Sequence, residues 1–269
     1  FGRDLLLSRQ PEIAFFLDGA APFRAETARG YVQGTLQAYM EQSARQTPGG
    51  LQQVSPVRIE PRFRYNQEFR SVFSIVPGSI MLILAFIPSM LAALSVVRER
   101  EIGSISNLYC SPATVGEFLV GKQLPYVAIS FMSFLVLVAL AIVQFGVGIK
   151  GSAPALLLAG LLYVFAMTGL GLFVSSFVKT QVAALIGTAV LCSVPALQFS
   201  GFLYPAATLE GAAYFVGHGF PALWFQNVGL GAFTKGRGVD AFFAEFGVLF
   251  AFGVGFLLAA RLILHKQEV

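Results

Sequence analysis

The chain has 269 residues, of which 56% are hydrophobic and only 12% charged, with a mean hydropathy of +0.72. An ordinary soluble domain carries about 25% charged residues, so a chain of this composition belongs mostly in lipid. The net charge of +4 does not indicate nucleic acid, because nine of the thirteen Arg precede residue 71 among apolar residues and no basic helix gathers them.

Residues 1 to 72 read as a water-exposed α/β domain. Glu12 to Leu17 is a short apolar run closed by Asp18-Gly19, a strand and turn signal. From Pro22 to about Gln46 the spacing turns helical, with Tyr31, Leu36, Tyr39 and Met40 expected on one side. Thr47-Pro48-Gly49-Gly50 stops it, and Val57 to Tyr65 alternates Arg with apolar residues as a second strand would.

Five apolar stretches follow, near 75–97, 124–147, 154–177, 182–203 and 241–264. Each is long enough for a hydrocarbon core that takes about 20 helical residues, and only helices satisfy their own backbone there. The fold class is therefore mostly α, a polytopic membrane protein of five transmembrane helices with a small α/β extracytoplasmic domain. Residues 204–240 are expected to form an external re-entrant segment.

Short-loop Lys and Arg favour the cytoplasmic side. Taking the first span as running inward puts Arg98, Arg100, Lys122, Lys179, Arg261 and Lys266 inside, against Lys150, Lys235 and Arg237 outside. This orientation makes the C-terminus cytoplasmic and residues 1–72 extracytoplasmic. Five spans leave the two ends on opposite sides, and the chain begins with Phe1, so a further helix before Phe1 is expected.

Between the first two spans runs Arg98-Glu99-Arg100-Glu101-Ile102-Gly103-Ser104-Ile105, continuing through Leu108 to Ser111-Pro112. Four alternating charges close the span, Gly103 breaks it, and a short amphipathic stretch leads to a Ser-Pro stop, after which Ala113 to Gly121 is expected to begin another helix leading back into the bilayer. Taken alone, the charge run is a solvated helix end with neighbours at i,i+3 and i,i+4. The wider pattern resembles the type-2 ABC transporter permeases, of the multidrug exporter type. Their second span runs into Arg-Glu-Arg-Glu-x-Gly-(Ser/Thr) and then Leu-x-x-Ser-Pro, matched here by Arg98 to Glu101, Gly103, Ser104, Leu108, Ser111 and Pro112. Gly121-Lys122 with Pro125, Ser200-Gly201-Phe202 with Pro205, Phe220-Pro221 and Lys235-Gly236 extend the likeness along nearly the whole chain, one helix short at its start. Pro88 inside a span and Glu210-Gly211 depart from that pattern.

The resemblance implies a loop at 98–121 that docks into a groove of a separate ABC ATPase subunit, which binds the ATP and Mg. It also implies a second permease copy or homologue as partner, in a homo- or heterodimer, within a bacterial inner (plasma) membrane. A periplasmic membrane-fusion adaptor is a further candidate partner. Ile102, Ile105 and Leu108 are expected to fill the ATPase groove, while charges 98–101 set register at the boundary.

The residues themselves agree with borrowed energy. No phosphate-binding Gly-x-x-x-x-Gly-Lys-(Ser/Thr) loop occurs, so no cofactor is expected on this chain. Mid-span ionisable groups, which ion-driven carriers keep, are missing; Glu245 and Arg261 lie near the ends of the last span, and Glu245 is expected to reach Trp224 or Gln226. An ion-gradient-driven transporter or a non-transporting scaffold is the alternative reading. No catalytic constellation appears, and neither Cys110, Cys192, His218 nor His265 has metal-ligand spacing.

Two ridges of small residues recur every fourth position, Ala184, Thr188, Cys192, Ala196 and Ser200, then Gly247, Ala251, Gly255 and Ala259. Both are expected to be helix-packing seams. Beside Pro195, Gln198, Phe199, Ser200 and Gly201 are a candidate substrate path if the broken helix opens carbonyls to a cavity, or a simple kink if it does not. The expected cargo is hydrophobic or amphipathic.

Overall fold

A computed structural model describes residues 16–18, 22–46, 62–64, 72–103, 112, 114–203, 206 and 209–264. The chain divides into two compact units, Phe1–Ser71 and Val72–Val269.

In the first unit, strand β1 (Phe16–Asp18) and strand β2 (Arg62–Arg64) pair in parallel, Leu17 opposite Phe63, and helix α1 (Pro22–Gln46) lies between them in the chain. Pro22 suits the first turn of a helix, where its missing N–H is not needed. The face expected to be apolar is corrected here, because Tyr31 and Tyr39 are exposed at 74% and 48%. The half-buried positions among the described side chains are Ala28, Val32, Gln33 and Leu36, and Tyr39, three residues after Leu36, is exposed although it shares their side of the helix. The Met40 side chain lies outside the described residues.

The second unit is a bundle of five helices long and apolar enough to cross a membrane: α2 (Val72–Ile102), α3 (Val115–Val143), α4 (Ala153–Ser175), α5 (Gln181–Gln198) and, after shorter elements, α8 (Phe243–Ile263). Helices α2 and α4 form the centre, with 56% and 67% of their apolar windows buried against 22% for each of the other three. Their contact is close because Gly171 of α4 has no side chain: a Cβ there would lie 2.1 Å from the Ser89 carbonyl oxygen of α2.

α3 begins at Val115, close to the start expected at Ala113, because Thr114 and Glu117 form a capping box: the Thr114 hydroxyl accepts from the Glu117 N–H, and the Glu117 carboxylate accepts from the Thr114 N–H at 2.8 Å. The second half of the expected loop 98–121 is thus the opening of a continuous 29-residue helix. α3 ends at Val143, and Gly146 at φ +65° turns the chain so that the Val147 N–H donates back to the Ala141 carbonyl. Similarly, α5 stops at Gln198 rather than near 203.

Residues 209–242 fold back against the bundle through α6 (Ala212–His218), α7 (Pro221–Leu230), a π-helical turn (Gly231–Lys235) and a 3₁₀ turn (Val239–Phe242). Helix α7 is buried because its aromatic residues find partners on the spans. Phe225 stacks on Tyr163 of α4 at 4.5 Å between ring centres and meets Phe134 of α3 edge-on at 6.1 Å. The Tyr163 hydroxyl, fully buried, donates to the Met81 carbonyl of α2 at 3.2 Å, which satisfies the one polar group in this aromatic stack.

Candidate coupling site

α2 has 31 residues, about 46 Å of helix, so it outruns a hydrocarbon core of about 30 Å by several turns. Its surplus is the charged end, Arg98 to Ile102, and this end gathers three other spans. Glu99 forms an ion pair with Lys122 of α3. Arg100 donates from Nη1 to the Ser175 carbonyl at 3.1 Å and the Val178 carbonyl at 2.9 Å, at the C-terminal end of α4. The Gln181 side-chain amide, in the first turn of α5, donates to Glu101.

These contacts differ in strength for physical reasons. The last carbonyls of a helix lack intrahelical donors and carry partial negative charge, so the Arg100 guanidinium satisfies real orphans. Hydrogen bonds from a charged group contribute about 1.5–3 kcal/mol. The Glu99–Lys122 pair, with both side chains about a third exposed, contributes about 0–1 kcal/mol.

The charges expected to set register at the boundary also make contacts within the chain. Three of the four are engaged within the chain, bracing α2 against α3, α4 and α5, while Arg98 is exposed. Ile102 is 67% exposed, and Gly103 at φ +82° turns the backbone away from the helix. A left-handed residue of this kind suits Gly and ends helices. Pro112 is exposed, and Ser104, Ile105, Leu108 and Ser111 lie outside the described residues.

The two small-residue ridges part company. Ala184, Thr188, Cys192 and Ala196 are all buried, with Ala184 packed beside Ala93 and Val97 of α2, so α5 meets α2 along this seam. In α8 the expected seam is corrected: Gly247, Ala251 and Gly255 are exposed and Ala259 is half-buried. α8 instead turns Phe246, Leu249, Gly253 and Ala260 inward, and a Cβ on Gly253 would strike the Phe165 ring at 2.2 Å.

The candidate substrate path is held as a helix end. The Ser200 hydroxyl donates to the Ala196 carbonyl at 2.5 Å and accepts from the Phe202 N–H at 3.3 Å, and Gly201 has φ +89°. Gln198 is exposed, Phe199 half-buried, and the described residues do not draw the four around a cavity. The expected Glu245 contact is also replaced. The Trp224 indole N–H donates to the His218 carbonyl at 3.0 Å, and the Gln226 amide, 1% exposed, has no hydrogen-bond partner among the described residues. His218 stacks on Tyr214 at 3.9 Å between ring centres, and no group of three or more metal-ligating side chains occurs among the described residues.

Sequence reasoning missed Gln181 and Gln123. Gln123, 2% exposed, donates to the Phe165 carbonyl at 2.9 Å and the Thr168 hydroxyl at 3.1 Å, tying α3 to α4 inside the bundle. Its signal was an amide in an apolar run, which needs a buried partner.

A family model of ABC-2 family transporter proteins matches residues 1–262. The chain belongs to the ABC-2 transporter family. It is 25% identical over 225 residues to the probable multidrug ABC transporter permease YbhS of Escherichia coli strain K12, which covers 84% of this chain and 59% of YbhS. It is 26% identical over 228 residues to the probable multidrug ABC transporter permease YbhR of the same strain, covering 85% of this chain and 57% of YbhR. Against the inner membrane transport permease YhhJ, also from that strain, identity is 26% over 277 residues, covering 99% of this chain and 71% of YhhJ. The chain thus spans less than two thirds of YbhS and YbhR. No solved structure matches it. Its five helices long and apolar enough to cross a membrane agree with membership of that transporter family.

Proposed function

We propose that this chain is the permease subunit of an ATP-binding cassette exporter, moving a hydrophobic or amphipathic cargo out of the cytoplasm or inner leaflet with ATP hydrolysed on a separate subunit. The observation that carries this reading is the charged end of α2, which touches three further spans and then presents Ile102 to solvent. A push delivered there reaches four helices through contacts already made. In this reading the ATPase receives Ile102, Ile105 and Leu108, and ATP and Mg reside on it. The relatives named as multidrug permeases support the export role.

The same reading places the permease in a bacterial inner membrane with the α2 end, and the C-terminus, in the cytoplasm. Among the described residues that end carries Arg98, Arg100, Lys122, Lys179 and Arg261, the opposite end Lys150, Lys235 and Arg237. Residues 1–72 are then extracytoplasmic. A second permease copy or homologue completes the path, and a periplasmic adaptor extends it.

The test is ATP-driven transport in proteoliposomes holding the permease and its ATPase, with Ile102→Asp and Leu108→Asp. Each variant is expected to lower coupled transport at least about tenfold, equivalent to 1.4 kcal/mol or more of lost coupling, while the chain stays folded. Transport at full rate in both variants, or transport driven by an ion gradient without the ATPase, overturns the proposal.

A further inference from the structure

The outer face of α3 carries a groove of about 450 Å³, lined among the described residues by Phe118, Gly121, Lys122, Pro125, Tyr126 and Ile129. Their spacing of three and four residues puts them on one side of the helix. Only 22% of the α3 apolar window is buried, so in a membrane this side meets lipid. The groove lies at the level of the α2 charges, because Lys122 pairs with Glu99 there.

Two polar groups stand next to each other in it. The Lys122 ammonium lies 5.8 Å from the centre of the Phe118 ring. An ammonium has three N–H donors, so one carboxylate partner leaves capacity for a second anion. The neighbouring group is a backbone carbonyl. Pro125 has no N–H, and it stands four residues after Gly121, so the Gly121 carbonyl lacks its helical donor. Gly121 is exposed and lines the groove, with nothing within 4 Å of where a Cβ would stand. A bare carbonyl near the hydrocarbon edge needs a donor from its surroundings. One and two turns further along, the Tyr126 and Ile129 side chains supply an aromatic ring and an apolar wall.

We propose that this groove binds one phospholipid of the adjoining leaflet whose headgroup carries both a phosphate and an N–H donor, with phosphatidylethanolamine as the simplest case. The phosphate shares Lys122 with Glu99, the headgroup ammonium donates to the Gly121 carbonyl, and an acyl chain lies against Pro125 and Ile129. Naming this leaflet the cytoplasmic one rests on the orientation proposed above, whereas the groove and its chemistry do not.

Native mass spectrometry of the full chain in mild detergent, titrated with phosphatidylethanolamine or phosphatidylcholine, tests the site. The two lipids share the phosphate, but the trimethylated amine of phosphatidylcholine has no N–H. The chain is expected to retain phosphatidylethanolamine about fivefold better. Lys122→Gln lowers retention of both lipids. Pro125→Ala restores the helical donor to Gly121 and improves the helix, so the chain folds while the preference between the lipids falls to parity. Equal retention of both lipids by the native chain, or a preference that survives Pro125→Ala, overturns the proposal. So does a benzophenone placed at position 129 that captures residues 104–111 or the ATPase in place of lipid. Since the readout uses no nucleotide, a chain that fails ATP-driven transport yet keeps the lipid preference separates this proposal from the functional one.

Discussion

The α5 and α8 ridges carry the same kind of residue at the same interval, yet one is buried and the other faces outward. Ala184, Thr188, Cys192 and Ala196 have no exposed surface, because α2 lies along them. Gly247, Ala251 and Gly255 have no neighbour of that kind, because α8 turns a different face toward α4. Small residues permit close approach; the opposing helix decides whether it happens.

The contrast breaks most sharply under enlargement. Ala184→Leu or Ala196→Leu forces side chains into the α2–α5 seam and is expected to cost about 1–3 kcal/mol, whereas Ala251→Leu stays within about 0.5 kcal/mol of the native chain. Thermal unfolding in detergent distinguishes them, and equal losses at both ridges would mean that α8 is covered after all.

Buried amides sharpen the same lesson, since what opposes the side chain again sets the outcome. Gln123 has its partners, and Gln226 has none among the described residues. Gln226→Leu is therefore expected to raise stability by about 1–2 kcal/mol, and Gln123→Leu to lower it by about 1 kcal/mol. A Gln226→Leu protein that unfolds earlier than the native one refutes the assignment.

Within α8 a two-residue step suffices. Gly253→Ala presses on the Phe165 ring and is expected to cost about 1 kcal/mol, while Gly255→Ala meets nothing and gains about 0.5–1 kcal/mol of helix propensity. The smallest effect belongs to the α2 end: Glu99→Gln loses one exposed ion pair, under about 1 kcal/mol, and 0.5 M salt should erase most of the difference.

Much of the bundle was legible because lipid imposes length and apolarity on anything that crosses it. All five spans were readable for that reason. The start of α3 was readable from the Ser-Pro stop before it, although the cap at Thr114 and Glu117 that fixes it was not singled out. At the α2 end the charges were visible, but their partners stand 23, 75, 78 and 80 residues away, a distance that no local pattern reports. The face of α8 was hidden because its apolar residues run all the way round, which leaves no stripe to read. Gln198 to Gly201 drew attention through Pro195, whereas the bonds that close that helix end belong to Ser200.

Arg100 gives the α2 end an uneven stiffness. Two bonds yoke α2 to the terminal carbonyls of α4, while at the same level α3 is joined to α2 by a solvent-facing ion pair and, deeper, by Leu119 packed beside Ala92 and Val96. A displacement applied beyond Gly103 therefore meets α4 through bonds to its last carbonyls, and meets α3 partly through an ion pair that ionic strength weakens.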